Sequence, residues 1–446
     1  MRIGFGKVDI TPRIGVELLG FGPFRNRRSV GVRDRLWAKA MAVEVGGRAL
    51  AVVSCDLGFV LLPTTKRVRA LVKEAVGLGE DAVMVHCTHT HSGPATGGTL
   101  GWGEVDLPYM ELLPRRIADA CIQAVQSLAP AELSHAEVPC EGIGLNREQD
   151  GGAQPLEVVL RDDWRPPRPE LTDTRCHVFR VDSGGKPIGF LSYFGCHPVV
   201  CCEDTRYIHG DFVGVATNML ERENPGTVGL FLQGAQGDIN SCVVHKPERE
   251  SLLALDVIAA RYANAVRPGL RQATPVEVDS VACIRQDARF PTLPIPLDEL
   301  RGWLAEQEAI LGRPGASDED RDVRMATVRA VTLRKLIARL EAGESPEDPT
   351  ELQGFRIGPV ALLGSPFEVM QAIKNDVVAR SRHALPLVMG LANDGLGYAP
   401  DRDSEARAGY AARTVPMIKG TFPFRDIHGE LVKALLRLDE ALAEPQ

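Results

Sequence analysis

The chain has 446 residues, 44% of them hydrophobic and 25% charged, a composition ordinary for a folded enzyme and incompatible with a disordered or fibrous chain. Its 51 lysines and arginines against 59 aspartates and glutamates give a net charge of −8, with no basic run, so nucleic acid and an anionic membrane surface are not expected partners. No stretch approaches the roughly 18 uninterrupted apolar residues of a membrane span, so no stable membrane insertion is expected.

The N-terminus, MRIGFGKVDITP, reads as a strand and turn of the fold and not as a secretory leader. Residues 36–56 predict two strands turning at Gly46-Gly47. Residues 64–76 carry charges at helical spacing around Val68, Leu71 and Val72, and Ala82–Cys87 is an apolar strand running into the polar, glycine-rich loop THTHSGPATGG. Residues 107–128 predict a second amphipathic helix, 161–170 a proline- and charge-rich loop, and 175–200 a hairpin turning at DSGGKP. A strand at 228–233 enters a further glycine-rich loop, GAQGDIN. Residues 297–341 read as a helical hairpin broken at GRPGAS, forming an insertion, outer layer or lid; 355–363 form a strand pair around Gly358, and 427–442 a closing helix. This order of strands, loops and helices predicts an α/β fold, a mixed β-sheet core with flanking helices. The chemistry-bearing motifs are scattered from 89 to 410, so one domain over 1–446 is expected. The ten cysteines form no C-x-x-C pair or regular framework; several sit in apolar runs as small core residues, and a reduced cytoplasm is the expected compartment.

Three sites carry candidate chemistry. In His89-Thr90-His91, alternate residues at a strand end face one side, so two imidazoles can converge on one metal or divide metal and substrate between them. His197 follows the apolar strand IGFLSYFG and precedes Pro198, which restricts its backbone. Glu368, in GSPFEV, is placed where a strand gives way to the first turn of a helix. Each alone is equally consistent with an ordinary structural residue; together, two histidines and a carboxylate suit a tetrahedral zinc site with one open position. His86 and His177 fall within strands, where structural roles are expected.

Taken together, these segments resemble the neutral/alkaline non-lysosomal ceramidase family, specifically its catalytic N-terminal domain. The similarity runs through GFGKVDITP at 4–12, THTHSGP at 88–94, GKPIG…HP at 185–198, GDI at 237–239, SPFE at 365–368 and GLANDGLGY at 390–398. The resemblance implies zinc held by His89, His197, Glu368 and Tyr398, with His91 and Tyr410 contacting the scissile group. It also implies a substrate-side role for Arg147 and makes Asp238 and Asp211 second-layer or capping residues. The sequence departs from the family pattern after GDI: the family's catalytic serine is replaced by Asn240, and Ser241 lies one residue late. The secreted members' leader and C-terminal β-rich domain are not expected here, so extracellular ceramide is not the expected substrate.

The expected activity is a Zn2+-dependent hydrolase that cleaves an amide (N-acyl) bond with metal-activated water. His91 would move the proton, and Arg147, Tyr410 and Asn240 would act as donors. An esterase or lactonase, a metal-binding protein without turnover, and a lyase or cyclising enzyme are the alternatives. A small-molecule N-acyl or ester substrate is the expected partner; oligomeric state is not readable.

Overall fold

A computed structural model describes residues 1–150 and 154–444. The apolar alternation of the strands decides how its layers stack. In strand Lys186–Phe194, Phe190 and Phe194 face helices Asp211–Glu223 and Glu248–Gln272, while Leu191 and Tyr193 enter a second core shared with the N-terminal sheet. Its parallel neighbour Val228–Gln233 repeats the pattern, Phe231 on the helical side and Leu230 and Leu232 on the other. A side-chain period of two thus lets each strand bury both faces in different cores. Each fully buried Leu, Val or Phe contributes about 1.5–3 kcal/mol relative to exposure.

The N-terminal sheet runs in the order Val83–Cys87, Arg48–Cys55, Trp37–Val45, Arg2–Asp9, Ala129–Pro130. Helices Leu62–Val76 and Leu107–Gln126 pack against it, and both begin with proline in the first turn, where the missing N–H costs nothing. The second sheet is ordered Val228–Gln233, Lys186–Phe194, Arg175–Ser183, Glu132–Pro139, Thr274–Pro275. The third, Val281–Ala288, Thr350–Ile357, Val360–Gly364, Leu385–Met389, packs against helix Ile427–Ala443. Each large sheet is antiparallel except for one parallel pair at its edge: Arg48–Cys55 with Val83–Cys87, Lys186–Phe194 with Val228–Gln233, and Val360–Gly364 with Leu385–Met389. The mixed-sheet α/β architecture expected from the sequence is the one observed.

Two findings differ from the expectations. Helices Asp211–Glu223 and Glu248–Gln272 were not read from the sequence. More than half of the longer helix's buried face is Ser251, Ala254, Ala259, Ala263 and Gly269, small residues that blunt the apolar contrast on which periodicity depends. Glu368 is not in a helix: it is the central residue of a short strand, Phe367–Val369, and the helix starts at Gln371. That strand pairs in parallel with Gly397–Ala399, placing Glu368 opposite Tyr398. Pairing with a segment thirty residues away, which no local pattern reports, overrides the helix-start signal.

Candidate metal centre and its cavity

The site residues leave the carboxyl ends of the three parallel pairs. His89 and His91 follow Val83–Cys87, His197 follows Lys186–Phe194, Asn240 follows Val228–Gln233, Glu368 follows Val360–Gly364, and Tyr398 follows Leu385–Met389. Crevices beyond strand carboxyl ends are where parallel pairs expose a ligand to loop side chains.

His89 and His91 do converge, but not by strand alternation. The strand ends at Cys87, and His89 takes a left-handed backbone, φ 72°. Such a backbone is uncommon outside glycine, and it turns the ring inward against the bend of the loop. His89 Nδ1 is 2.8 Å from the Gly58 carbonyl oxygen and His197 Nδ1 is 2.6 Å from that of Gln236. A carbonyl only accepts, so both Nδ1 atoms donate and both Nε2 atoms carry bare lone pairs. Those lone pairs face other acceptors. Glu368 Oε2 lies 2.9 Å from His197 Nε2 and 3.4 Å from His89 Nε2, while His91 Nε2, 3.1 Å from His89 Nε2, can accept or donate according to its tautomer. Acceptors gathered in this way repel unless a cation sits among them. Carbonyl-anchored imidazoles with bare Nε2 atoms and a carboxylate are the donor chemistry of a metal site, so these residues fit one.

The surrounding electrostatics point the same way. Burial pushes His197 down to about 4 and His91 well below its ordinary value, so both imidazoles are neutral at physiological pH. His91 Nδ1 is buried without a partner. It packs against Gly20, where a Cβ would stand 2.4 Å from that nitrogen and where φ is 101°; glycine is required at this position on both counts.

Arg147 and the two tyrosines form the next layer. The Arg147 guanidinium lies 4.9 Å over the Tyr398 ring, and the Tyr398 and Tyr410 centroids are 6.4 Å apart. Burial raises the Tyr398 phenol well above its ordinary range despite the nearby Arg147. Tyr398 stacks on His197 at 6.2 Å. Tyr410, 49% exposed, opens a π-helical turn over Tyr410–Thr414 at the rim, a geometry that displaces a side chain from the ordinary helical register.

The GDI segment ties these parts together. Gly237 donates to Val369 O at 2.7 Å, and a Cβ there would sit 2.7 Å from Glu368 O, so only glycine lets this loop reach the Glu368 strand. Asp238 accepts from the Gln371 backbone at 2.9 Å and from Asn146 at 3.0 Å, and its carbonyl accepts from Arg147 N at 2.9 Å. It positions both walls of the site, and its burial raises its carboxyl to about 6. Asn240 lines the cavity, whereas Ser241 is fully buried and donates to Val243 O at 2.6 Å. Ser241 therefore does not stand in for the serine.

Asp211 accepts from the Val200, Cys201 and Phe212 backbones, closing the turn that follows His197. Cys201, His209 and Asp211 also lie within ligand distance of one another, but the carboxylate is occupied by those three N–H groups and His209 Nδ1 accepts from Asp211 N. His86 is interior, with Nε2 accepting from Gln233 N, and His177 contacts His135.

The centre lies in a cavity of about 1130 Å³ whose lining includes His89, His91, Arg147, His197, Asn240, Glu368, Tyr398 and Tyr410. The structure thus brings all eight residues into one cavity. Sequence reasoning missed Arg27 and, within the helical hairpin it does predict at 297–341, the individual side chains that face the cavity. Arg27 is buried and donates to the Leu19, His91, Cys202 and Thr205 carbonyls, fastening three loops. The hairpin of helices Leu297–Leu311 and Arg321–Glu341 supplies part of the wall through residues such as Gln307, Arg321 and Arg329. An isolated arginine and a charged helix face have no motif that would have announced these positions.

Residues 1–245 match the family described as neutral/alkaline non-lysosomal ceramidase, N-terminal, which is more than half of the 446-residue chain. The chain belongs to this family. It is 26% identical over 261 residues to the neutral ceramidase of Pseudomonas aeruginosa, a match covering 55% of this chain and 38% of that protein. Neutral ceramidase B of Dictyostelium discoideum is 25% identical over 261 residues, covering 54% of this chain and 35% of its own length. These matches thus span little more than a third of each relative. The fold extends further: the crystal structure of the P. aeruginosa neutral ceramidase superposes with a TM-score of 0.74 at 22% identity, over 100% of this chain and 75% of that one. A ceramidase complexed with C2 gives 0.75 at 20% identity, over 99% and 75%. The neutral-ceramidase fold therefore includes the C-terminal part of the chain that carries Glu368, Tyr398 and Tyr410. Among the described residues no helix is long and apolar enough to cross a membrane.

Proposed function

We propose that this neutral-ceramidase-family chain is a zinc-dependent hydrolase of an amide (N-acyl) bond in a small molecule. The observation that carries this reading is the meeting of the bare His89 and His197 Nε2 atoms with Glu368, beside His91, at the floor of the cavity. His89, His197, Glu368 and Tyr398 would hold the zinc. When bound, zinc supplies Lewis acidity, making water a nucleophile near neutral pH and polarising a carbonyl.

The remaining work falls to the protein's own groups. His91, neutral because it is buried, takes a proton at Nε2 and returns it to the leaving amine. Arg147, whose NH2 is buried without a hydrogen-bond partner, and Tyr410 donate to the oxygen that gains charge. Such donors are worth about 3 kcal/mol each. Asn240 offers a neutral amide donor where the family has a serine. The hairpin Leu297–Leu311 with Arg321–Glu341 acts as a lid that holds substrate and limits water.

The test is elemental analysis of the purified chain together with hydrolysis of a panel of N-acyl amides and then esters. The expected result is about one zinc per chain and amide turnover abolished by chelation and restored by zinc. Turnover of esters alone would reassign the bond. Failure to take up zinc would overturn the reading.

A further inference from the structure

The cavity is lined by six cationic side chains, Arg25, Arg147, Arg321, Arg324, Arg329 and Lys419, and by four carboxylates, Glu203, Asp320, Asp322 and Glu368. Two of the four carboxylates are taken up by a cation outside the lining, and Glu368 belongs to the donor set of the metal centre. Glu203 pairs with His245 at 2.9 Å, Asp320 and Asp322 pair with Arg313 outside the lining, and Glu368 faces the histidines. Among the described residues, none of the six cations has a carboxylate within 4.0 Å. Arg324 is bonded only to the Asp318 and Glu319 carbonyls, and Lys419 gives one of its three protons to Gly395 O at 2.8 Å and lies 5.2 Å from the Phe59 ring centroid.

Arg321 is exposed and Arg324, Arg329 and Lys419 are half-buried, so these cations face the cavity with water as their counterpart, and a ligand anion that enters can replace that water with charge-assisted hydrogen bonds. Lys419 feels Glu368, Asp394 and Asp348 at a distance, none of them within 4.0 Å, and Arg321 acts on Tyr410 at the rim. Apolar surface is present too, from Leu19, Phe21, Phe59, Trp102, Ile310 and Ile418. A neutral amide with two long chains would use this apolar surface and leave the cations unmatched.

We propose that the substrate is an N-acyl compound bearing an anionic group, of the carboxylate class, held by Lys419, Arg321 and Arg329 while its amide faces the metal centre. This inference rests on the hydrolase reading of the same site. An N-acyl amino acid has this form, with an apolar acyl chain, a central amide and one carboxylate a few bonds away.

The test separates binding from turnover. N-octanoylglycine and its neutral counterpart N-octanoylglycinamide are titrated by calorimetry into the full chain, zinc-loaded and again after chelation. The chelated protein removes both hydrolysis and direct metal–carboxylate contact. The expected result is binding of the carboxylate probe at least tenfold tighter than the amide in both states, with the preference shrinking as salt is raised. The preference is expected to collapse toward unity in a Lys419→Gln, Arg329→Gln double variant and to persist in Lys419→Arg. Equal binding of the two probes by wild type, or an unchanged preference in a folded double variant, overturns the proposal whether or not amides are hydrolysed. A retained preference without hydrolysis of either probe supports the anion site and counts against the hydrolase reading alone.

Discussion

The floor of the cavity and its helical wall are built in different ways. On the floor, His89, His197 and Glu368 are almost fully buried, and each ring or strand is fastened by backbone hydrogen bonds to another segment. The wall hairpin has its own small apolar cluster of Leu300, Leu333, Leu336, Ile337 and Phe422. Its two helices are linked at the surface by Arg301–Glu341 and Arg334–Glu308 pairs, contacts worth about 0–1 kcal/mol apiece. The floor, which must hold donors to within fractions of an ångström, draws on all three sheets. The wall, which only has to present charge and apolar surface, is made from one local unit. On the reading proposed above, reactivity rests on long-range structure, whereas two of the three cations proposed to hold the anion, Arg321 and Arg329, sit on one local unit.

The sharpest break of this contrast is removal of floor ligands. A His89→Ala, His197→Ala variant is expected to lose all zinc and with it all turnover, read by elemental analysis and an N-acyl amide assay, with circular dichroism showing that the fold persists. His91→Ala should lower kcat by about 10²–10⁴-fold, the range for a positioned proton carrier, with zinc content near wild type. Loss of zinc in that variant would make His91 a ligand instead. Gly237→Ala forces a methyl against Glu368 O, and zinc affinity is expected to drop about 10–100-fold, as for displaced supporting contacts. Competition with a chromogenic chelator measures it.

A smaller effect concerns acid. Burial lowers His209 from 6.5 to about 3. A lowered histidine contributes stability that is complete above pH 6.5 and is lost as pH falls toward 3. Asp211, raised by burial from 3.8 to about 6, acts in the opposite sense: its contribution is complete below pH 3.8 and lost as pH rises through 6. His209→Asn keeps an acceptor for Asp211 N and removes the titration. The decline of stability between pH 6 and 4 should then be shallower by about 1.4 kcal/mol per pH unit, as read from denaturant midpoints. The smallest effect is expected on the wall: Arg313→Ala, which frees Asp320 and Asp322, should change stability by less than about 1 kcal/mol.

Much of the fold follows from local pattern. The hairpin 36–56, the helices 62–76 and 107–126, the strand pair 175–194 and the helical hairpin 297–341 coincide with alternation, proline and glycine positions readable in sequence. Local pattern does not mark helix Glu248–Gln272, because alanines do not define a face, and it points Glu368 toward a helix start, because a strand of three residues is defined by its partner. The motif order, THTHSGP through GLANDGLGY, identified the family and named the residues now found in one cavity. It did not reveal that His89 needs a left-handed backbone, or that Ser241, one residue beyond the cavity-lining Asn240, turns into the core.

The sequence by itself therefore determined which donor residues are available and which strands deliver them, because strand ends and glycine-rich loops are set by neighbours along the chain. Only the tertiary structure decided how those donors meet and what charge surrounds them. His89, His197 and Glu368 are separated by more than a hundred residues at each step and come together only when three sheets pack. The role proposed for Lys419, Arg321 and Arg329 depends on the hairpin packing beside that floor, because a counter-charge is a relation in space that no spacing in sequence records.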